Sequence, residues 1–138
     1  MRDGEFLRLA AFREQLRQFQ AFSERACDSR GLTSPQYQAL LAMRAHRGND
    51  APFTVRTLSE CLLIKHNSAV GLVDRMAQLG LVERTGSPTD RRSVVLVLTA
   101  HGGRVLEMLA EQHRTELHRT ARAWIHCLEQ LAEPPAAS

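Results

Sequence analysis

Residues Ile64–Leu98 read IKHNSAVGLVDRMAQLGLVERTGSPTDRRSVVLVL, and this stretch decides the fold. From about His66 to Leu79 the apolar residues recur at helical spacing, and Gly80 supplies the stop. Leu81–Thr85 and Ser93–Leu98 are alternating or continuously apolar and β-branched, the pattern of strands. Gly86-Ser87-Pro88-Thr89-Asp90 lies between them and has turn composition. At about 100° per residue, Ala69, Val70, Val73, Met76 and Ala77 gather on one side of the helix, with Leu72 and Leu79 at its edge. Asn67, Ser68, Gly71, Asp74, Arg75 and Gln78 gather on the other. A helix with a small polar face, followed at once by a basic hairpin, can occupy a major groove and reach the adjacent minor groove. Asparagine can pair with adenine, and serine can bond to several base edges. A merely solvated helix face would be polar too, so the flanking sequence has to decide.

Upstream, about Glu5–Ser29 is an amphipathic helix with Phe6, Leu9, Leu16, Phe19 and Ala26 near helical spacing, stopped by Gly31. Thr33-Ser34-Pro35 gives a cap followed by proline in the first turn, a strong helix start. That second helix runs to about His46, with Tyr37, Leu40, Leu41 and Met43 inward. Gly48–Pro52 is a loop, Phe53-Thr54-Val55 a short strand, and about Arg56–Leu62 a third helix with Leu58, Cys61 and Leu62 on its apolar side. The third helix, a turn at Leu63–Lys65 and the fourth helix make a helix-turn-helix, and the hairpin makes it winged. Downstream, Thr99 caps a long helix whose stripe is Leu106, Leu109, His113, Leu117, Ala121, Trp124, Leu128 and Leu131. Such a stripe is long for an isolated domain of this size. Together with the first helix it predicts that the chain ends pack on each other and on a second subunit.

Length and composition fit one domain over 1–138 with its own core. The net charge of +3 permits a nucleic-acid partner without demanding one. The positive charge is nearly all arginine, Lys65 being the only lysine, and arginine suits bidentate phosphate and guanine contacts. No apolar run approaches the ~20 residues of a membrane span, and the N-terminus lacks the features of a signal peptide, so a cytoplasmic location is expected. Cys27, Cys61 and Cys127 are odd in number and widely spaced, which argues against a disulfide framework or a structural zinc site.

The chain resembles the MarR family of transcriptional regulators. Leu32-Thr33-Ser34-Pro35-Gln36-Tyr37 resembles the family's approach to its second helix, and Leu58-Ser59-Glu60 a motif of its third. Val73-Asp74-Arg75-Met76, Leu79-Gly80-Leu81-Val82, Arg84, Pro88, Asp90-Arg91-Arg92-Ser93-Val94 and Leu98-Thr99-Ala100-His101-Gly102 follow in family order and spacing. The resemblance implies a mainly α fold with a small β-hairpin wing. It comprises a winged helix-turn-helix lobe over about 32–98 and dimerisation helices over about 5–30 and 99–132. It implies a homodimeric DNA-binding regulator, most simply a repressor, on a pseudo-palindromic operator. Asn67, Ser68 and Gly71 would face base edges, Arg91 or Arg92 would reach the minor groove, and Arg75 and Asp90 would pair to brace the wing. Gly71 stands where many relatives carry a larger side chain, and the start of the wing is lightly charged apart from Arg84.

The resemblance also implies release of DNA by a small phenolic or lipophilic ligand. Phe19, Phe22, Tyr37 and Trp124 are the aromatic residues that could line its pocket, although such residues are usually core. Cys27 is the candidate for redox sensing, with a packed reduced thiol as the alternative. Most of the six histidines read as surface residues, and His101 sits near a helix start. No cofactor, metal set or catalytic constellation is expected. The rival reading is a winged-helix protein-interaction module without DNA binding.

Overall fold

The computed structural model describes residues 1–46, 51–86 and 93–134. Its elements are α1 (Asp3–Asp28), α2 (Ser34–Ala45), α3 (Val55–Leu62), α4 (His66–Gln78), β1 (Val82–Gly86), β2 (Val94–Leu98) and α5 (Ala100–Ala132). Local chemistry sets the boundaries. Thr33 and Gln36 form a capping box at α2: Gln36 N–H donates to Thr33 Oγ1 at 3.3 Å, and Thr33 N–H to Gln36 Oε1 at 3.0 Å. Thr54 and Thr57 do the same for α3. Gly31 and Gly80 stop α1 and α4 at positive φ, 75° and 72°.

α1 and α5 lie along each other, and α2 packs against both. α3 and α4 form the helix-turn-helix, and β1 pairs antiparallel with β2 in the register Val82↔Leu98 to Gly86↔Val94. Leu40, Leu58, Val73, Met76, Leu81 and Leu109 are buried at the centre of one continuous core. The fold is mainly helical with a hairpin wing, as the sequence predicts.

Several expectations change. Phe53–Val55 is not a strand: Thr54 makes one isolated bridge with Val95, Leu96 N–H donates to Phe53 O at 2.8 Å, and Thr54 caps α3. Leu41 and Cys61 are exposed rather than inward. The helical wheel misplaced the edges of α4, since Leu72 is buried whereas Val70 and Leu79 are exposed. In the terminal helices Phe6, Leu7, Leu9, Leu117, Ile125 and Leu128 stay exposed within this chain.

The junction of wing and α5 is tight. Thr99 Oγ1 donates to Gly80 O at 2.6 Å and accepts from Gly102 N–H at 2.9 Å, while Thr99 N–H donates to Leu81 O at 3.1 Å. Gly102 lies so close that a Cβ there would stand 2.0 Å from Leu81 O. The Leu-Thr-x-x-Gly motif is therefore a packing requirement that joins α4, the wing and α5.

Candidate nucleic-acid interface and ligand cavity

α4 presents Asn67, Ser68 and Arg75 at the surface, with Gly71 and Asp74 partly covered. Ala69, Leu72, Val73 and Met76 hold the opposite side in the core. The first turn of α4 has no side-chain cap, Lys65 being the N-cap residue, so its outward N–H groups face solvent or a partner. Leu63, in the preceding turn, adopts the left-handed conformation with φ 56° and ψ 43°.

Asp74 ion-pairs with Arg84, and the pair ties the exposed face of α4 to β1. Both side chains are about half exposed, so the pair contributes at most about 1 kcal/mol and acts mainly as an orienting contact. The sequence reading missed it. The available signal was opposite charge placed six residues before and four after the reversal at Gly80. The expected brace was Arg75 with Asp90; Asp90, Arg91 and Arg92 lie outside the described residues. Arg75 lies over Gly71, its Nη1 3.6 Å from the place a Cβ would take.

The aromatic candidates divide. Phe19, Phe22 and Trp124 line a cavity of about 310 Å³ between α1 and α5, together with Arg25, Glu116 and Arg119. Trp124 Nε1–H is buried without a partner among the described residues, and Glu116 is ion-paired with Arg119. Tyr37 does not line this cavity. It is buried and stacks on His113 with ring centroids 4.2 Å apart.

His113 sits in a chain of buried polar groups. Its Nδ1 is 2.6 Å from Leu109 O, and a carbonyl can only accept, so Nδ1–H donates. Nε2 is hydrogen-bonded to the Ser23 hydroxyl at 2.8 Å. The Ser23 and Ser34 hydroxyls are hydrogen-bonded at 3.2 Å, and Ser34 Oγ accepts from Gln38 Nε2 at 3.0 Å. Phe19 and Phe22 contact the imidazole edge-to-face. Cys27, one turn after Ser23, has no exposed surface. Burial pushes its thiol up from 9.0, and a hydrogen bond with the Ser23 side chain pulls part of the way back. Burial likewise raises the Tyr37 phenol above 10.0, with Cys27 adding to it.

A sequence model of the MarR family matches residues 30–93, from the approach to α2 through the wing. The organic hydroperoxide resistance transcriptional regulator of Bacillus subtilis is 33% identical over 102 residues, 74% of this chain and 64% of that protein. Over residues 30–93 the chain carries the MarR-family sequence. Solved structures of MarR regulators share its fold. AbsC of Streptomyces coelicolor aligns with a TM-score of 0.76 over 97% of this chain and 84% of its own, at 23% identity. A variant of MepR from Staphylococcus aureus, bound to an oligodeoxyribonucleotide, aligns with a TM-score of 0.66 over 81% of this chain and 79% of its own, at 18% identity. The chain spans 64%, 52% and 53% of the lengths of three curated transcriptional regulators it matches. No described helix is long and apolar enough to cross a membrane.

Proposed function

We propose that the chain is a homodimeric, sequence-specific DNA-binding repressor that competes for promoter DNA. The observation that carries the reading is the outer face of α4, where Asn67, Ser68 and Gly71 form a low polar surface held beside the wing by Asp74 and Arg84. Small residues let backbone and base edge approach, and Asn67 has the paired donor and acceptor that adenine matches. The described part of the wing brings Arg84 alongside; Arg91 and Arg92 belong, on this reading, to its minor-groove end. Residues 32–98 act as the reading lobe. The terminal helices supply the dimer contact, which fits the apolar residues they leave exposed, Leu7 at 70% and Ile125 at 52% among them. The oligonucleotide bound to the MepR variant shows this fold carrying DNA in another protein.

Selection of bound duplexes from a random library tests the reading. A two-fold symmetric motif with half-sites about one helical turn apart is expected. Absence of any enrichment would favour the winged-helix interaction module. Within the selected site, Asn67→Ala should relax preference at one base pair, whereas Arg92→Ala should weaken binding to all sequences alike.

The cavity favours a second element, a small-molecule inducer. A space walled by Phe19, Phe22 and Trp124 suits an aromatic ligand. This geometry favours a ligand over thiol chemistry at Cys27, since a buried thiol with raised pKa holds little thiolate at neutral pH. Phenolic acids that shift the melting temperature of the wild type but not of Trp124→Phe would support it.

A further inference from the structure

The outer face of α4 carries an apolar side chain among its polar ones. Val70 is 38% exposed, although Ala69, Leu72 and Val73 around it are buried. Valine is a poor choice for an exposed helical position, because its branch restricts χ1 and exposure returns no burial. Its neighbour Gly71 is equally unexplained by the fold. Its φ is not in the left-handed region. Among the described residues a Cβ would meet only Arg75 Nη1, at ordinary contact distance. Nothing among the described residues requires the missing side chain, and glycine weakens a helix interior. At about 100° per residue, Asn67 sits centrally in the exposed arc, with Val70 about 60° to one side and Gly71 about 40° to the other. The three form one low surface with a hydrogen-bonding centre and an apolar flank.

We infer that Val70 reads a thymine by packing on its 5-methyl group, in a base pair neighbouring the one Asn67 contacts, and that Gly71 allows the close approach this needs. The inference rests on the DNA-binding reading above and deepens it. The thymine methyl is the one apolar group displayed on the major-groove edges of the bases. An isopropyl group has nothing to offer a hydrogen-bonding edge, but it can remove that methyl from water. A protein partner would also cover an apolar side chain, yet it would not account for a bare glycine beside an asparagine on a groove-sized helix.

The test uses the best duplex from the random-library selection. Each thymine of one half-site is replaced in turn by uracil, which deletes the methyl and keeps the pairing. One replacement should weaken wild-type binding about fourfold, the worth of one buried methyl. Val70→Ala, which removes the contact in both protomers, should bind the thymine duplex as weakly as the wild type binds a duplex with that thymine replaced in both half-sites, about sixteenfold, and should no longer distinguish thymine from uracil. Its affinity for an unrelated duplex should equal the wild type's, which shows the variant is folded. Gly71→Ala should weaken binding to both duplexes. The inference is overturned if no thymine matters, or if the uracil penalty persists in Val70→Ala. A symmetric motif with indifference to uracil removes this inference alone; no selected motif removes it together with the DNA-binding reading.

Discussion

Replacing Gly102 with alanine should damage this protein more than any other single methyl added to α5. The new Cβ would lie 2.0 Å from Leu81 O and 2.9 Å from Leu81 C, where ordinary contact begins at 3.4 Å. About 1.4 Å of separation must be found, and the obstacle is backbone, not a mobile side chain. Moving the start of α5 that far breaks the hydrogen bond from Thr99 N–H to Leu81 O and the one from Thr99 Oγ1 to Gly80 O. Each is worth about 1 kcal/mol net. Overpacking adds about 1–3 kcal/mol, and alanine returns about 1 kcal/mol through helix propensity. The net loss is about 2–4 kcal/mol. Urea unfolding followed by circular dichroism, at one fixed protomer concentration, should show a midpoint lower by about 1–2 M. Gly103 is the internal control: nothing stands within 4 Å of its Cβ position, so Gly103→Ala should be neutral or stabilising by up to about 1 kcal/mol. If Gly102→Ala is as stable as the wild type, or if the two variants behave alike, the steric account of the Leu-Thr-x-x-Gly motif is wrong.

Three further outcomes follow from the same geometry. Leu63 holds a left-handed conformation with a side chain 91% exposed, so Leu63→Gly should relieve about 1 kcal/mol of strain and raise Tm by a few degrees; an unchanged or lower Tm would show that the side chain packs on something else. The thiol of Cys27 and the phenol of Tyr37 both titrate higher in the folded chain than their ordinary 9.0 and 10.0, so the folded state keeps protons that the unfolded state gives up. Stability should hold below pH 9 and fall as pH rises beyond it, with Cys27→Ala removing the earlier part of the fall and Tyr37→Phe the later part; denaturant midpoints that stay level to pH 11 would contradict this. In the native protein at pH 8, iodoacetamide should modify exposed Cys61 first and Cys27 last, read by peptide mass spectrometry, and equal rates would mean that α1 opens readily.

Chain order and element types were legible because each boundary has local chemistry: Thr33-Ser34-Pro35 starts α2, Gly80 ends α4, and Thr99 starts α5. The exposed face of α4 was legible at its centre, where Asn67, Ser68 and Gly71 are polar or small, and the reading failed at its edges. Val70 looked inward because it is apolar, yet hydrophobicity reports a residue's preference and not which neighbours surround it. Asp74–Arg84 was missed because it depends on how tightly the Gly80 turn folds β1 back, a tertiary fact. Tyr37 was placed at the cavity with the other aromatics, but the stack with His113 holds it in the core, and no spacing rule joins residues 37 and 113. The wing tip, on which the Asp90, Arg91 and Arg92 assignments rest, falls in the segment between 86 and 93 that the structure does not describe.

One polar residue in the otherwise apolar stripe of α5 has a geometric justification. A dimer reading two half-sites must hold its recognition helices about 34 Å apart. Leucine contacts between α1, α2 and α5 stabilise their association, but they are non-directional and tolerate sliding along the helix axes. His113 is directional. One ring nitrogen is spent on Leu109 of α5 and the other on Ser23 of α1, and its face is stacked on Tyr37 of α2. The arrangement fixes three helices relative to one ring, a constraint that an apolar residue of similar size would not impose. The same ring is walled by Phe19 and Phe22, which also line the cavity. A ligand that displaces either phenylalanine therefore acts on the residue that sets the position of α2, and α2 carries α3 and α4 with it through the shared core around Leu40 and Leu58. On the repressor reading, the route from an inducer to the operator needs no long chain of intermediates. It needs the cavity and the histidine to share a wall, and in this fold they do.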